Sequence, residues 1–252
     1  MKNINLDGMV IGEGKPKICV PIVAEGMTEA VAQAEKIVGT EAELVEFRID
    51  YLKENASARH INEITSKIKE IIKRPVIITF RTAFEGGEKE ISREEYKNLL
   101  VELMENNEAE IFDVELFSGD ALVNDMVNKA HENGKFIIMS NHDFDKTPMS
   151  DDISERLFKM EKLGADIAKI AVMPQSKKDL LTLLDATVIL NEKLSIPVVT
   201  MSMGKLGMIS RLAGEVFGSA ITFGSVLKSS APGQVEVSQL KSVLDVIHYN
   251  LV

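Results

Sequence analysis

The chain has 252 residues, 45% hydrophobic and 27% charged, the balance of an ordinary soluble globular protein with enough sequence for one large core, which sets aside disordered and fibrous classes. Its net charge of −10 repels a phosphate backbone, and no basic run with interleaved aromatics offsets that, so nucleic acid is not an expected partner. No apolar stretch approaches the roughly 20 residues of a membrane span, and the start Met1-Lys2-Asn3-Ile4-Asn5 lacks the long apolar segment of a signal peptide, so a membrane association is not expected and the expected location is the cytoplasm.

Residues 1–15, with Gly8, Gly12 and Gly14, read as a small hairpin. From residue 18 onward short β-branched runs alternate with amphipathic stretches, the written signature of βα units and a parallel sheet. The runs predict strands over 18–23, 44–50, 75–81, 110–116, 135–143, 166–173, 197–203 and 220–226. Apolar residues at helical spacing predict helices over 28–38, 61–72, 93–104, 121–132, 153–163, 178–190, 206–217 and 237–249. Gly134, Gly164 and Gly218 stand where helices should end in a left-handed cap. Eight such repeats match a closed (β/α)8 TIM barrel better than a doubly wound sheet, and no GxGxxG follows the first strand. With no linker or composition shift, residues 1–252 read as a single domain, its lower end closed by the N-terminal hairpin. The one cysteine, Cys19, excludes an internal disulfide and a multi-thiolate metal site, and in the run Ile18-Cys19-Val20 it reads as core.

In such a barrel the carboxyl ends of the strands build the active site, so polar residues there carry the functional information. Strand two ends Glu46-Phe47-Arg48-Ile49-Asp50, where alternation sets Glu46, Arg48 and Asp50 on one face. Strand three ends Thr79-Phe80-Arg81 before a turn holding Glu85-Gly86-Gly87-Glu88, and strand five ends Ser140-Asn141-His142-Asp143. Lys169 is the sharpest anomaly, because it interrupts Ile167-Ala168-Lys169-Ile170-Ala171-Val172, otherwise apolar enough to be buried on both faces. Desolvation disfavours an ammonium there and favours a neutral, nucleophilic amine. An ion pair with Glu46, Asp113 or Glu115 accounts for the strand equally well. His60, His131 and His248 fall on helical stretches, whereas His142 sits at a strand end beside the Lys169 strand. There its ring can move protons near neutrality, with a carboxylate such as Glu85 fixing the tautomer. After strand seven, Gly204 to Arg211 opens a helix whose free amides and guanidinium suit an anion, phosphate or carboxylate. The last loop, Lys228-Ser229-Ser230-Ala231-Pro232-Gly233-Gln234, has the small residues of a lid or of an ordinary βα turn.

Taken in order, these residues resemble the type I 3-dehydroquinate dehydratase family of the shikimate pathway, over nearly the whole chain. The most specific fragments are Glu46-Phe47-Arg48-Ile49-Asp50, Phe80-Arg81-Thr82 with Glu85-Gly86-Gly87-Glu88, and Ser140-Asn141-His142-Asp143-Phe144. Ala168-Lys169-Ile170-Ala171, Met201-Ser202-Met203-Gly204 with Ser210-Arg211, and Ser230-Ala231-Pro232-Gly233-Gln234 complete the set. The resemblance implies a lyase that dehydrates 3-dehydroquinate through a Schiff base on Lys169, with His142 as general acid and base and Glu85 orienting it. It further implies that Arg211 binds the substrate carboxylate, that Glu46, Arg48 and Arg81 hold ring hydroxyls, and that Ser230 and Gln234 belong to a closing loop. Met201, Met203 and Phe223 would line the apolar side, with no metal or cofactor and with homodimers as the family's usual state. Two positions depart from the family pattern: Pro21 replaces a small hydroxyl residue, and Phe84 replaces a commonly charged one. A Schiff-base aldolase on the same architecture and a catalytically silent ligand sensor are the competing readings.

Overall fold

The computed structural model describes residues 3–6, 8–53, 56–226 and 231–251. At the start β1 (Ile4–Leu6) and β2 (Met9–Ile11) pair antiparallel, with Ile4 opposite Ile11. Then come the parallel strands β3 (Lys17–Ile22), β4 (Leu44–Arg48), β5 (Val76–Thr79), β6 (Ile111–Glu115), β7 (Phe136–Asp143), β8 (Ile167–Val172), β9 (Val198–Ser202) and β10 (Ile221–Ser225). Each pairs with the next from β3 to β9, and β10 pairs with β3. The ring closes between β9 and β10, where Val198 bridges Ser219 and the Ala220 amide donates to the Val198 carbonyl at 2.8 Å. The (β/α)8 barrel and the hairpin expected from the sequence are therefore both present.

The helices follow their strands: α1 (Met27–Val38), α2 (Ala58–Ile72), α3 (Arg93–Asn106), α4 (Asp120–Glu132), α5 (Ser150–Lys162), α6 (Lys177–Lys193), α7 (Met208–Leu212), α8 (Gly214–Phe217) and α9 (Val237–Leu251). Side-chain chemistry starts several of them. Ser92 and Ser176 form capping boxes with Glu95 and Asp179, pairing amides that the first turns of α3 and α6 leave without partners. The one helix expected over 206–217 is two short ones, α7 and α8. The backbone leaves the helix at Ala213, with φ −110°, and Gly214 packs so closely on Pro16 that an added Cβ would lie 2.8 Å from the proline ring. The pair Val235–Glu236, here β11, adds in parallel to β10 and brings the end of the last loop back over the barrel mouth. Among the described residues no helix is long and apolar enough to cross a membrane.

Period-two alternation splits the buried side chains into two sets. Ile18, Val45, Phe47, Ile78, Phe112, Val114, Ala168 and Ile170 face outward and pack under the helices. Inside, Cys19, Leu44, Ile77, Ile111, Ile138, Ile167, Val199 and Ile221 form a lower layer with one residue from each barrel strand, and Ile4, Leu6 and Ile11 of the hairpin pack against it. The lower half of the barrel is thus an apolar plug. Cys19, fully buried there, is the core residue its context indicated. The next inward positions upward are polar, and that change builds the site.

Candidate active site

Two residues above the apolar layer, the inward positions are Glu46 on β4, Thr79 on β5, Asp113 on β6, Ser140 on β7 and Lys169 on β8. Lys169 is only 3% exposed, and its Nζ lies 3.0 Å from Asp113 Oδ2, 3.7 Å from Glu46 Oε1 and 4.7 Å from the centre of the Phe223 ring. The amine is therefore not isolated in an apolar barrel, as desolvation by itself would have it. Two of the carboxylates weighed as ion-pair partners face it, while Glu115 pairs elsewhere. Thr79 donates to Glu46 at 2.9 Å and Ser140 to Asp113 at 2.5 Å, so both anions are held by hydroxyls as well as by the ammonium. The Arg81 and Lys169 charges bring the Asp113 carboxyl down to about 2 despite its full burial.

Arg81 sits between the carboxylates of β6. Its Nη2 donates to Asp113 at 2.8 Å, and its Nη1 donates to Glu115 at 2.9 Å and to Ser140 at 3.0 Å. Arg48 makes a two-pronged pair with Asp50 at 2.9 and 2.8 Å and lies 5.0 Å over the Tyr51 ring. Asp50 lies beyond the strand, in a short 3-10 turn (Ile49–Tyr51), where its carboxylate also accepts from the Arg81 and Glu88 amides.

Glu85 reaches the site through the 3-10 turn after β5, Ala83–Glu85, which closes by a hydrogen bond from the Gly87 amide to the Thr82 carbonyl. Only glycine fits at 87, since a Cβ would stand 1.9 Å from the Arg81 carbonyl oxygen. The turn buries Glu85 to 1% exposure with both carboxylate oxygens occupied. Oε2 accepts from the His142 amide at 2.9 Å and meets His142 Nδ1 at 2.9 Å, while Oε1 accepts from Asn141 Nδ2 at 3.1 Å. With Nδ1 given to Glu85, Nε2 is the atom left for other chemistry. Burial, together with the positive charges of Arg81, Lys169 and Arg48, holds the ring well below the usual histidine range and hence neutral at pH 7. Burial and the neighbouring Glu115 and Asp113 raise Glu85 to about 8 against the opposing pull of Arg81 and Asn141.

The cavity above Lys169 is lined by Glu46, Arg48, Arg81, Glu85 and His142 on one side and by Met201, Met203, Arg211, Phe223 and Gln234 on the other. All site residues expected from the sequence meet there except Ser230, which lies outside the described residues with Lys228 and Ser229. Arg211 is 2% exposed, and among the described residues no carboxylate pairs with it. Its Nη2 donates to the Pro232 carbonyl at 3.2 Å, its Nη1 is 3.9 Å from the Met201 sulfur, and among the described residues its buried Nε has no partner. Burial without a counter-charge lowers it to about 10. A guanidinium so placed is a ready site for an anion. Pro21 pairs with Glu46 in the β3–β4 register and offers no donor, and Phe84 is 85% exposed outside the cavity. Asp113 and Glu115 had a legible signal, since Ile111-Phe112-Asp113-Val114-Glu115 puts both on the face of the inward Ile111. The Asn141 and Arg156 contacts had none, because Arg156 lies on a helix whose facing depends on packing.

The family model for type I 3-dehydroquinase matches residues 18–250. A 3-dehydroquinate dehydratase of Salmonella agona is 46% identical over 250 residues, covering 98% of this chain and 99% of that one. One from Listeria monocytogenes is 45% identical over 249 residues with the same coverage. The crystal structure of a type I 3-dehydroquinate dehydratase from Clostridium difficile, with covalently modified comenic acid, superposes with a TM-score of 0.95 at 42% identity, covering 99% of this chain and 100% of that one.

Proposed function

The chain belongs to the type I 3-dehydroquinase family and is a hydro-lyase, and from that premise we propose that it converts 3-dehydroquinate to 3-dehydroshikimate through an imine on Lys169. The observation that carries the reading is that the Lys169 amine and an imidazole held by Glu85 open on one cavity. Nζ in its neutral form, one proton having left the ammonium by way of His142 or water, attacks the C3 ketone, and loss of water forms the imine. Once protonated, the imine withdraws electrons from C2, and His142 Nε2 takes the C2 proton to leave an enamine. The enamine expels the C1 hydroxyl, which leaves as water with the proton returned by His142. Water then hydrolyses the iminium and frees the enone and the amine. Asp113 and Glu46 stabilise the cation on nitrogen at each stage where it is charged.

Arg211 takes the substrate carboxylate, which supplies the counter-charge that no described carboxylate gives it. A single guanidinium neutralises the one charge of a carboxylate and leaves a phosphate dianion half compensated, which favours this reading over an aldolase acting on phosphorylated sugars. Glu46 and Arg48 hold ring hydroxyls. Arg81 borders them, while its strongest contacts keep the carboxylates of β6 in place. Met201, Met203 and Phe223 form the apolar wall, and Gln234 and Ser230 belong to the segment that closes the mouth. The family resemblance also supports homodimers of single-domain chains working in the cytoplasm without a metal or organic cofactor.

Arg211→Met tests the reading in two directions at once. KM for 3-dehydroquinate, followed by enone absorbance, should rise about 100-fold, the loss of roughly 3 kcal/mol from a charge-assisted pair. The thermal midpoint of the free variant should rise, because an unpaired buried charge is exchanged for an apolar side chain of similar length. An unchanged KM, or turnover of phosphorylated sugars alone, would overturn the assignment.

A further inference from the structure

We propose that Asn141 and Arg156 are positioning residues that together fix Glu85, and through it His142, in the orientation the dehydration needs. The proposal rests on the reading of His142 as acid and base. Asn141, 3% exposed on β7, lies between Ser140 and His142 in sequence and pairs in register with the outward-facing Ile170. Its amide bridges two groups of opposite charge, with Nδ2 donating to Glu85 Oε1 at 3.1 Å and Oδ1 accepting from Arg156 Nη1 at 2.7 Å.

An asparagine amide can turn over, but here the reversed orientation would press its oxygen against the carboxylate and its NH2 against the guanidinium. Arg156 thereby determines that Asn141 presents a donor to Glu85. The Arg156 guanidinium is itself placed by α5 and by the Phe117 ring, 5.6 Å from its Cζ. Glu85 Oε2 is held from His142, whereas the hydrogen bond that holds Oε1 comes from Asn141. Without that bond the carboxylate can rotate away from Nδ1, and its charged form loses a stabilising donor. The other charged or titratable groups facing Glu85 are Arg81 after β5, Asp113 and Glu115 on β6 and His142 on β7, whose ring in turn feels Lys169 on β8. None of these lies on α5, and Arg156 acts on Glu85 through a single neutral amide.

The sign follows from the donor. Removing it makes the Glu85 proton harder to lose, so the limb of the pH–rate profile on which activity rises with Glu85 ionisation should move to higher pH. For Arg156→Ala and Asn141→Ala we expect that midpoint to move up by about half a unit to one unit, and kcat at pH 7 to fall roughly three- to tenfold, with KM within about twofold. Arg156→Lys, which keeps a cationic donor for Oδ1, should recover most of both losses. Arg156 is half-buried on a helix, so its variants keep the test open should Asn141→Ala fail to fold. An Arg156→Ala profile that overlays the wild type, while Glu85→Gln abolishes turnover, would overturn the relay alone. Full turnover by Glu85→Gln would overturn the underlying assignment of His142 and Glu85, and the relay with it.

Discussion

Lys169→Ala is expected to lose turnover of 3-dehydroquinate by roughly five to six orders of magnitude, the scale seen when a covalent nucleophile is deleted. The reason is electronic. Without nitrogen at C3 the C2 proton stays weakly acidic, and no positioning of His142 replaces the electron sink. The fold should survive, because Asp113 keeps Arg81 and Ser140 as partners and Glu46 keeps Thr79. Initial rates by enone absorbance, with the thermal midpoint as a check on folding, make the comparison. A loss of less than about 100-fold would show that Lys169 serves as the ion-pair partner of Asp113 and Glu46 and takes no covalent part.

His142→Ala should separate two stages of the same reaction. Imine formation needs the amine and the bound ketone, whereas loss of water needs a base at C2 and an acid at the C1 hydroxyl. The variant should therefore still accumulate a substrate adduct, while turnover falls about 1,000- to 10,000-fold, the upper range for general acid–base catalysis. Intact mass after borohydride reduction reports the adduct, and absorbance reports the product. Near-normal turnover would remove His142 from the mechanism.

Much of this was legible in the chain because alternation and barrel geometry make a few residues anomalous. Lys169 stands two positions above Ile167 and two below Ala171, all on the inward face, so its direction follows from the strand alone. His142 at the end of β7 and Glu85 in the turn after β5 likewise announce themselves by position, and the step-by-step chemistry assigned to them comes from resemblance to a family. Less legible was what each charge would meet. The partners of Arg81, Asp113 and Glu115, lie on the neighbouring strand, 32 and 34 residues away in sequence. Strand register places them, and periodicity within one segment carries no trace of it. Desolvation of Lys169 follows from the apolar strand around it, whereas the carboxylates that accompany it are one of two alternatives the strand leaves open. The break between α7 and α8 depends on Pro16 packing against Gly214, a contact between opposite ends of the chain.

On this mechanism an amine held between Asp113 and Glu46 becomes covalently joined to the substrate. Borohydride added to the wild-type enzyme during turnover of 3-dehydroquinate, followed by peptide mass mapping, tests it most directly. Inactivation together with a reduced adduct on the peptide that contains Lys169 is the expected result. Continued turnover with that peptide unmodified would contradict it.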